Sequence, residues 1–392
     1  MKMKELNESL QKLRNYIEFE QFKGYDPYDT LNSVFPILCF GKWPAVLATQ
    51  FQKRNPFNIR PFLGIKKIYS TKGMGLLLKA YIKLYILTNN KQLVSSIEFI
   101  KDWLIDNRTF YNEDFCWGYD YPYSTPKKQT KKGFPTVIHH SYIIDGLYEY
   151  YKFFGDQGIR NIIIEGADFI INNIPIIEIR ESLCFGYNPQ SEDCCYNASL
   201  HAAKCLAIAD KLNQSNKYLT LVERAIDFVV TKQKDDGVWY YSEDIEGNER
   251  KQIDFHQGFI IESIYDVIAI IGYSFPHWQK AIKKGLCFYK EKQFFSNGQS
   301  KWRLPKIYPV DIHNQAQGII TFSKLNNYDP SLLSFAETIV NWTISNMQSK
   351  LGYFYYRNFR YYKNRISYMR WSQAWMLLAL TEFLSNKKES EI

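Results

Sequence analysis

The 392-residue chain is 46% hydrophobic and 23% charged, which is ordinary globular usage with ample chain to bury a large core. Its 49 Lys and Arg against 40 Asp and Glu give a net charge of +9, which favours an acidic partner; the densest basic stretch is only Lys127-Lys128 and Lys131-Lys132, so nucleic acid is not expected as a ligand. Seven scattered Cys without a CxxC pair argue against a disulfide framework or zinc site, and no run approaches the roughly 18 apolar residues that cross a membrane.

In chain order, residues 1–16 read as a charged helix without the apolar core of a signal peptide, so a cytoplasmic protein is expected. Gly24-Tyr25-Asp26-Pro27-Tyr28-Asp29 then reads as a rim loop. Beyond it, nearly apolar helices are predicted to start near residues 72, 137, 196, 255, 312 and 368, spaced 65, 59, 59, 57 and 56 residues apart. Amphipathic helices over 92–105, 157–173, 216–232, 276–293 and 330–347 alternate with them. Residues 1–385 are expected as one domain, with 386–392 a disordered tail.

A turn pattern repeats with the helices. Gln233-x3-Gly237-Val238-Trp239, Gln293-x4-Gly298-x3-Trp302 and Gln348-x3-Gly352-Tyr353-Phe354 each close an amphipathic helix and lead into an apolar one. A βαβ chain would show β-branched strand runs here, and TPR or HEAT arrays have shorter periods. A helix apolar almost all round must be buried, while an amphipathic one covers it. Six such pairs predict an all-α, (α/α)6 toroid, with small residues such as Gly75, Ala202 and Ala316 allowing close approach around the ring.

In this arrangement the loops entering the apolar helices meet at one end of the barrel, where helix N-termini favour anionic or oxygen-rich ligands. The entrances carry Lys72; His139 and His140; Asp193 with Asn197 and His201; Asp254 with His256; Asp311 with His313; and Arg370 with Trp371. The repeated Asp-x-His at 254–256 and 311–313 fits either helix caps, worth about 1 kcal/mol each, or acid–base groups. Asp120, in the rim sequence Trp117-Gly118-Tyr119-Asp120, is a further candidate acid. Asp254, Asp120, Asp193 and His256 are the candidate catalytic residues. Candidate binding residues are His139, His140, Asn197, His201, Asp311, His313 and Arg370, with Trp117, Tyr119, Trp239 and Trp371 as sugar-stacking platforms, a use suited to the 17% aromatic content. A metal site wants carboxylates or Cys at defined reach, and neither metal nor cofactor is expected.

The repeat resembles the six-hairpin glycosidase superfamily, which includes unsaturated-glucuronyl hydrolases, N-acylglucosamine epimerases and toroid polysaccharide lyases. Over residues 193–385, and most clearly from Asn197 to Tyr241 and at Ile253-Asp254-Phe255-His256-Gln257-Gly258-Phe259, it is similar to VpsJ-like proteins of bacterial surface-polysaccharide biosynthesis clusters. The resemblance implies a carbohydrate partner, such as an acidic oligosaccharide or a lipid-linked glycan. The first chemistry expected is glycosidic cleavage by two carboxylates, one with its pKa raised by burial. The second is proton abstraction by Tyr or His, as in a uronate lyase or C5-epimerase, with His256, His140, Arg370 and Tyr119 in play. A glycan-binding scaffold and an isoprenoid-type toroid complete the alternatives; against the last, no DxDD motif occurs.

Overall fold

The computed structural model describes residues 3–126 and 128–390; Lys127 of the basic stretch and residues 391–392 of the expected tail lie outside them. The helices are α1 (Met3–Phe19), α2 (Lys42–Arg54), α3 (Thr71–Thr88), α4 (Leu93–Asp106), α5 (Val137–Phe154), α6 (Gln157–Asn173), α7 (Tyr196–Asn213), α8 (Leu219–Thr231), α9 (His256–Ile271), α10 (Pro276–Gln293), α11 (Ile312–Lys324), α12 (Ser331–Met347) and α13 (Trp375–Ser390). The odd-numbered helices from α3 to α13 pack each against the next, and α13 closes back onto α3. They form the inner ring of an (α/α)6 toroid; α4, α6, α8, α10, α12 and α1 stand outside it.

The division follows from composition. Fifteen of the eighteen residues of α7 are buried, whereas α8 hides only Val222, Ala225, Ile226, Phe228 and Val229. Neighbouring inner helices approach closely: a Cβ on Gly75 would stand 2.9 Å from the Tyr142 carbonyl oxygen, and one on Gly146 would stand 2.7 Å from that of Gly75.

The Gln–Gly turns have a physical reason. Gly237, Gly298 and Gly352 have φ of +94°, +88° and +98°, a region that favours glycine. Gln233 and Gln348 bridge their own turns, each donating to the turn glycine's carbonyl and to the next outer helix, at Ala281 and Ser9 respectively. From the inner helices Gln257 and Gln373 answer with paired bonds to both backbone groups of Trp239 and Phe354. Gln315 does the same to Ser300 N–H and the Gly298 carbonyl.

Three features differ from expectation. The loops at the inner helices' N-terminal end form small antiparallel sheets, the larger ones joining 193–195 to 242–244 to 249–250 and 310–311 to 357–358 to 363–364. Residues 369–374, leading into α13, are π-helical. The polar residues from 386, expected as a tail, continue α13 to Ser390, with Lys387 bonded to Glu337 and Lys388 to the Leu87 carbonyl. No helix among the described residues is long and apolar enough to cross a membrane.

Candidate active site

A cavity of about 1540 Å³ opens at the N-terminal end of the inner ring. Of the residues singled out in the sequence, Tyr119, His139, Asp193, Asn197, Asp254, His256, Asp311, His313, Arg370 and Trp371 line it.

Asp254 and His256 form its most directed pair. Asp254 Oδ1 accepts from His256 Nδ1 at 2.5 Å and from the His256 backbone N–H at 3.2 Å. Its Oδ2 accepts from Gln252 Nε2 at 2.7 Å and faces Arg303 Nε at 3.4 Å. Burial pushes this carboxyl up, but His256 and then Arg303 outweigh it and hold the group below its ordinary 3.8. An ionised carboxylate only accepts, so the Nδ1 proton is fixed on its side. Nε2 of His256, without a protein partner among the described residues, is the imidazole's working nitrogen. The ring is steadied edge-on by Tyr241, with centroids 4.7 Å apart.

Two more imidazoles reach the cavity with spare nitrogens. His139 bonds Thr136 Oγ1 through Nδ1 at 2.8 Å, and its Nε2 has no partner; in His313 neither nitrogen has one. His313 lies between rings: it stacks on Phe255 at 4.5 Å and touches Trp371 and Trp375, each at 4.6 Å. Burial holds both imidazoles well below the usual histidine range, with the nearby Lys72 and Arg370 charges adding to it, so both are neutral. Lys72 rests its ammonium over Tyr142 at 4.3 Å and Trp375 at 5.3 Å, and desolvation lowers its pKa well below the ordinary value.

The charged residues at the last two entrances are structural clamps as well as lining. Asp311 caps α11 through the His313 N–H at 3.0 Å, and accepts from Arg357 Nε at 2.6 Å and Trp371 Nε1 at 2.8 Å. Arg370 forms a two-point pair with Asp26 at 2.6 and 2.8 Å and reaches the Tyr121 hydroxyl. Asp193, half-buried, starts a rim strand paired with Asp244.

Five expected site residues do not line the cavity. Asp120 accepts from Ser70 Oγ at 2.8 Å and the Thr71 N–H at 2.9 Å, tying the rim to α3; burial raises its pKa to about 6. Trp117 and Trp239 are fully buried, with indole N–H groups given to the Leu104 and Val229 carbonyls. They are core residues because each turn folds back onto its outer helix. His140 bonds the Gly166 carbonyl and packs on Trp117 and Phe169. His201 sits under the floor against Tyr142. The two Asp-x-His units are also not equivalent. With Gln257, Gln315 and Gln373 in register, 58 residues apart, His256 corresponds to Asn314 and His313 to Phe255.

Sequence reasoning missed Gln252, Arg303, Tyr28 and Tyr241, and gave Lys72 no role. A lone cation at the start of a nearly apolar helix is the signal that marks Lys72. Asp26, 344 residues from Arg370, leaves no local signal. No cluster of three His, Cys, Asp or Glu placed for a metal occurs among the described residues.

No family model matches the chain, and no curated protein sequence does. Solved structures do. Cellobiose 2-epimerase from Bacillus thermoamylovorans B4167 superposes with a TM-score of 0.64 at 13% identity, covering 82% of this chain and 88% of that one. A possible member of the GH105 family from Klebsiella pneumoniae gives 0.65 at 14%, over 99% and 94%. A GH76 alpha-mannanase from Bacteroides thetaiotaomicron gives 0.62 at 13%, over 84% and 89%. At such identities the likeness is one of fold.

Proposed function

We propose that this chain is a carbohydrate-active enzyme that removes and returns a proton at a sugar carbon next to a carbonyl, as an epimerase or isomerase does. The observation that carries the reading is the ionised Asp254 holding the Nδ1 proton of His256, at the wall of a cavity where neutral His139 and His313 keep unpartnered nitrogens. His256 Nε2 takes the carbon-bound proton, the electron pair moves onto the carbonyl oxygen, and a neighbouring N–H group or Lys72 meets the resulting enolate. Return of a proton to the opposite face of that carbon gives the epimer; return to the former carbonyl carbon, with the adjacent hydroxyl's proton passing to the old carbonyl oxygen, gives the isomer. Tyr28, Tyr119, Tyr187, Tyr241 and Trp371 on the walls supply the apolar faces that sugars stack on.

Glycosidic cleavage by two carboxylates needs one carboxyl kept protonated. Asp254 is held the other way, and Asp120, whose pKa is raised, has its oxygens engaged away from the cavity. The cellobiose 2-epimerase likeness supports the proton-transfer reading. The resemblance read in the sequence of residues 193–385 to VpsJ-like proteins would put this reaction in surface-polysaccharide production. A uronate lyase would use the same base; the cations Arg250 and Arg357 on the walls favour it as the second reading.

The test is incubation with acidic and neutral reducing saccharides in deuterated, heavy-oxygen water, followed by NMR and mass spectrometry. Deuterium at one carbon with the chain length unchanged, abolished in His256→Asn, is the expected result. Cleavage with heavy-oxygen uptake would make the protein a hydrolase, and an unsaturated product would make it a lyase.

A further inference from the structure

Outside the toroid, residues 33–64 present a surface built against the usual burial rule. In α2 the inward residues are Ala45, Thr49 and Gln52, small or polar, while Trp43, Leu47 and Phe51 at i, i+4 and i+8 face outward. Phe40, Phe57 and Phe62 flank them, and exposure runs from 56% at Trp43 to 85% at Phe62. Apolar side chains scattered singly on a surface need no explanation, but a stripe of three along one helix face, with three more exposed rings in the segments on either side of it, marks an interaction site.

The charge of the same segment identifies what it meets. Between residues 30 and 70 there are six Lys or Arg and no Asp or Glu; Arg60 is buried on Asp29, Lys67 pairs with Glu20 and Lys53 is held against Tyr28, which leaves Lys42, Arg54 and Lys66 to set the charge of this surface. An isologous dimer through this face would set those cations against their own copies. Projecting aromatic and aliphatic side chains accompanied in the same segment by Lys42, Arg54 and Lys66 are instead what an interfacial, non-spanning membrane anchor presents: the rings enter the acyl boundary and the cations meet anionic headgroups. The surface adjoins the cavity, since Gln50, Lys53 and Arg54 of α2 are among its lining.

We propose that the α2 face docks this protein on an anionic membrane surface, setting the mouth of the cavity beside the headgroup layer. The inference goes beyond the reaction assigned above and does not depend on it. Docked this way, the cavity accepts saccharide held at the bilayer.

The test is flotation of the full chain with phosphatidylcholine vesicles and with vesicles containing 30% phosphatidylglycerol (~0.3 mole fraction, on the order of a natural anionic leaflet), at low and high salt, with size-exclusion chromatography in parallel. Expected are binding to the anionic vesicles only, weakening with salt, and at least roughly tenfold weaker partitioning of Trp43→Ser/Leu47→Ser/Phe51→Ser. Those three side chains are exposed, so an unchanged circular dichroism spectrum and melting temperature are expected for the variant. Lys42→Glu/Lys66→Glu, which leaves the apolar face intact, should lose the anionic preference. Absence of binding at low salt, equal binding by the triple variant, or a dimer that the triple variant converts to monomer would each overturn the proposal, the last assigning the face to a second copy.

Discussion

Asp254 illustrates how much one carboxylate's surroundings decide. As a bare sequence position it serves equally as helix cap, general acid or histidine partner; its contacts make it a partner that keeps His256 in one tautomer. Asp254→Asn should therefore lower kcat/KM for deuterium exchange by about 10²- to 10⁴-fold, the range general acid–base groups contribute. KM should move little. The Asn Oδ1 can still accept from the His256 N–H, and Asn caps about as well as Asp, so the melting temperature should fall only slightly. The folded pKa of this carboxyl lies below its unfolded value, so the stability it contributes is present above its ordinary 3.8 and is lost as pH falls further. The asparagine variant should accordingly differ from the parent in stability at neutral pH and converge with it in acid; a uniform offset at every pH would contradict the pairing. The residues themselves were legible to a degree: Asp254, His256, His139 and His313 stand at helix entrances where side chains aim inward. What could not be read was which nitrogens lack partners, because Thr136, Phe255 and Trp375 decide that through packing. The apparent repetition of Asp-x-His was misleading because Asp254 stands three residues before Gln257 whereas Asp311 stands four before Gln315, so the two units face differently.

At the scale of elements, the alternation of apolar and amphipathic segments was readable because ring position dictates composition: an inner helix has neighbours on every side and an outer one does not. The rim sheets were not, since their two- to four-residue strands are too short for a period-2 pattern to register. Nor was α2 readable as an element, because its outward face carries the residues that burial would hide. The Gln–Gly turns were visible as a spacing, and their mechanism explains it. Gln257, 1% exposed, both accepts from the Trp239 N–H and donates to its carbonyl. Gln257→Leu preserves volume but leaves both buried backbone groups unpaired, at about 1–3 kcal/mol each. Urea denaturation should show a loss of roughly 2–5 kcal/mol. Gln279→Leu, on the outer helix α10, should cost far less; equal losses would mean that the turn bonds do not hold the hairpin.

Across the whole molecule, the six inner helices are joined by charges that no local pattern reveals. About two turns below the cavity, roughly 12 Å at 1.5 Å per residue, each contributes one: Lys79, Asp145, Lys204, Asp266, Lys324 and Glu382, alternating in sign around the ring. Lys79 to Asp145 is 2.6 Å, and Lys204 bridges Asp145 and Asp266 at 2.8 Å to each. Glu382 pairs with Lys83 of α3 at 3.0 Å and attracts Lys324 through space without an ion pair. Each charge lies 58 to 66 residues from the next, so in sequence it reads as an isolated blemish on an apolar helix; only closure of the ring gives it partners. Burial raises both aspartates, and the flanking lysines outweigh it, holding Asp145 and Asp266 well below the usual carboxylate range. Removing one lysine leaves two buried carboxylates each short of a partner, which is costlier than never having had the pair. Lys204→Met should therefore destabilise the fold by about 3–5 kcal/mol at neutral pH. Because the depressed carboxylates contribute stability above their unfolded 3.8 and lose it as pH falls towards their folded values, the gap between parent and variant should narrow from about pH 5 down to about pH 2. Denaturant midpoints measured across that pH range decide the matter: a constant gap would show that Lys204 acts through packing and that the ring closes by shape alone.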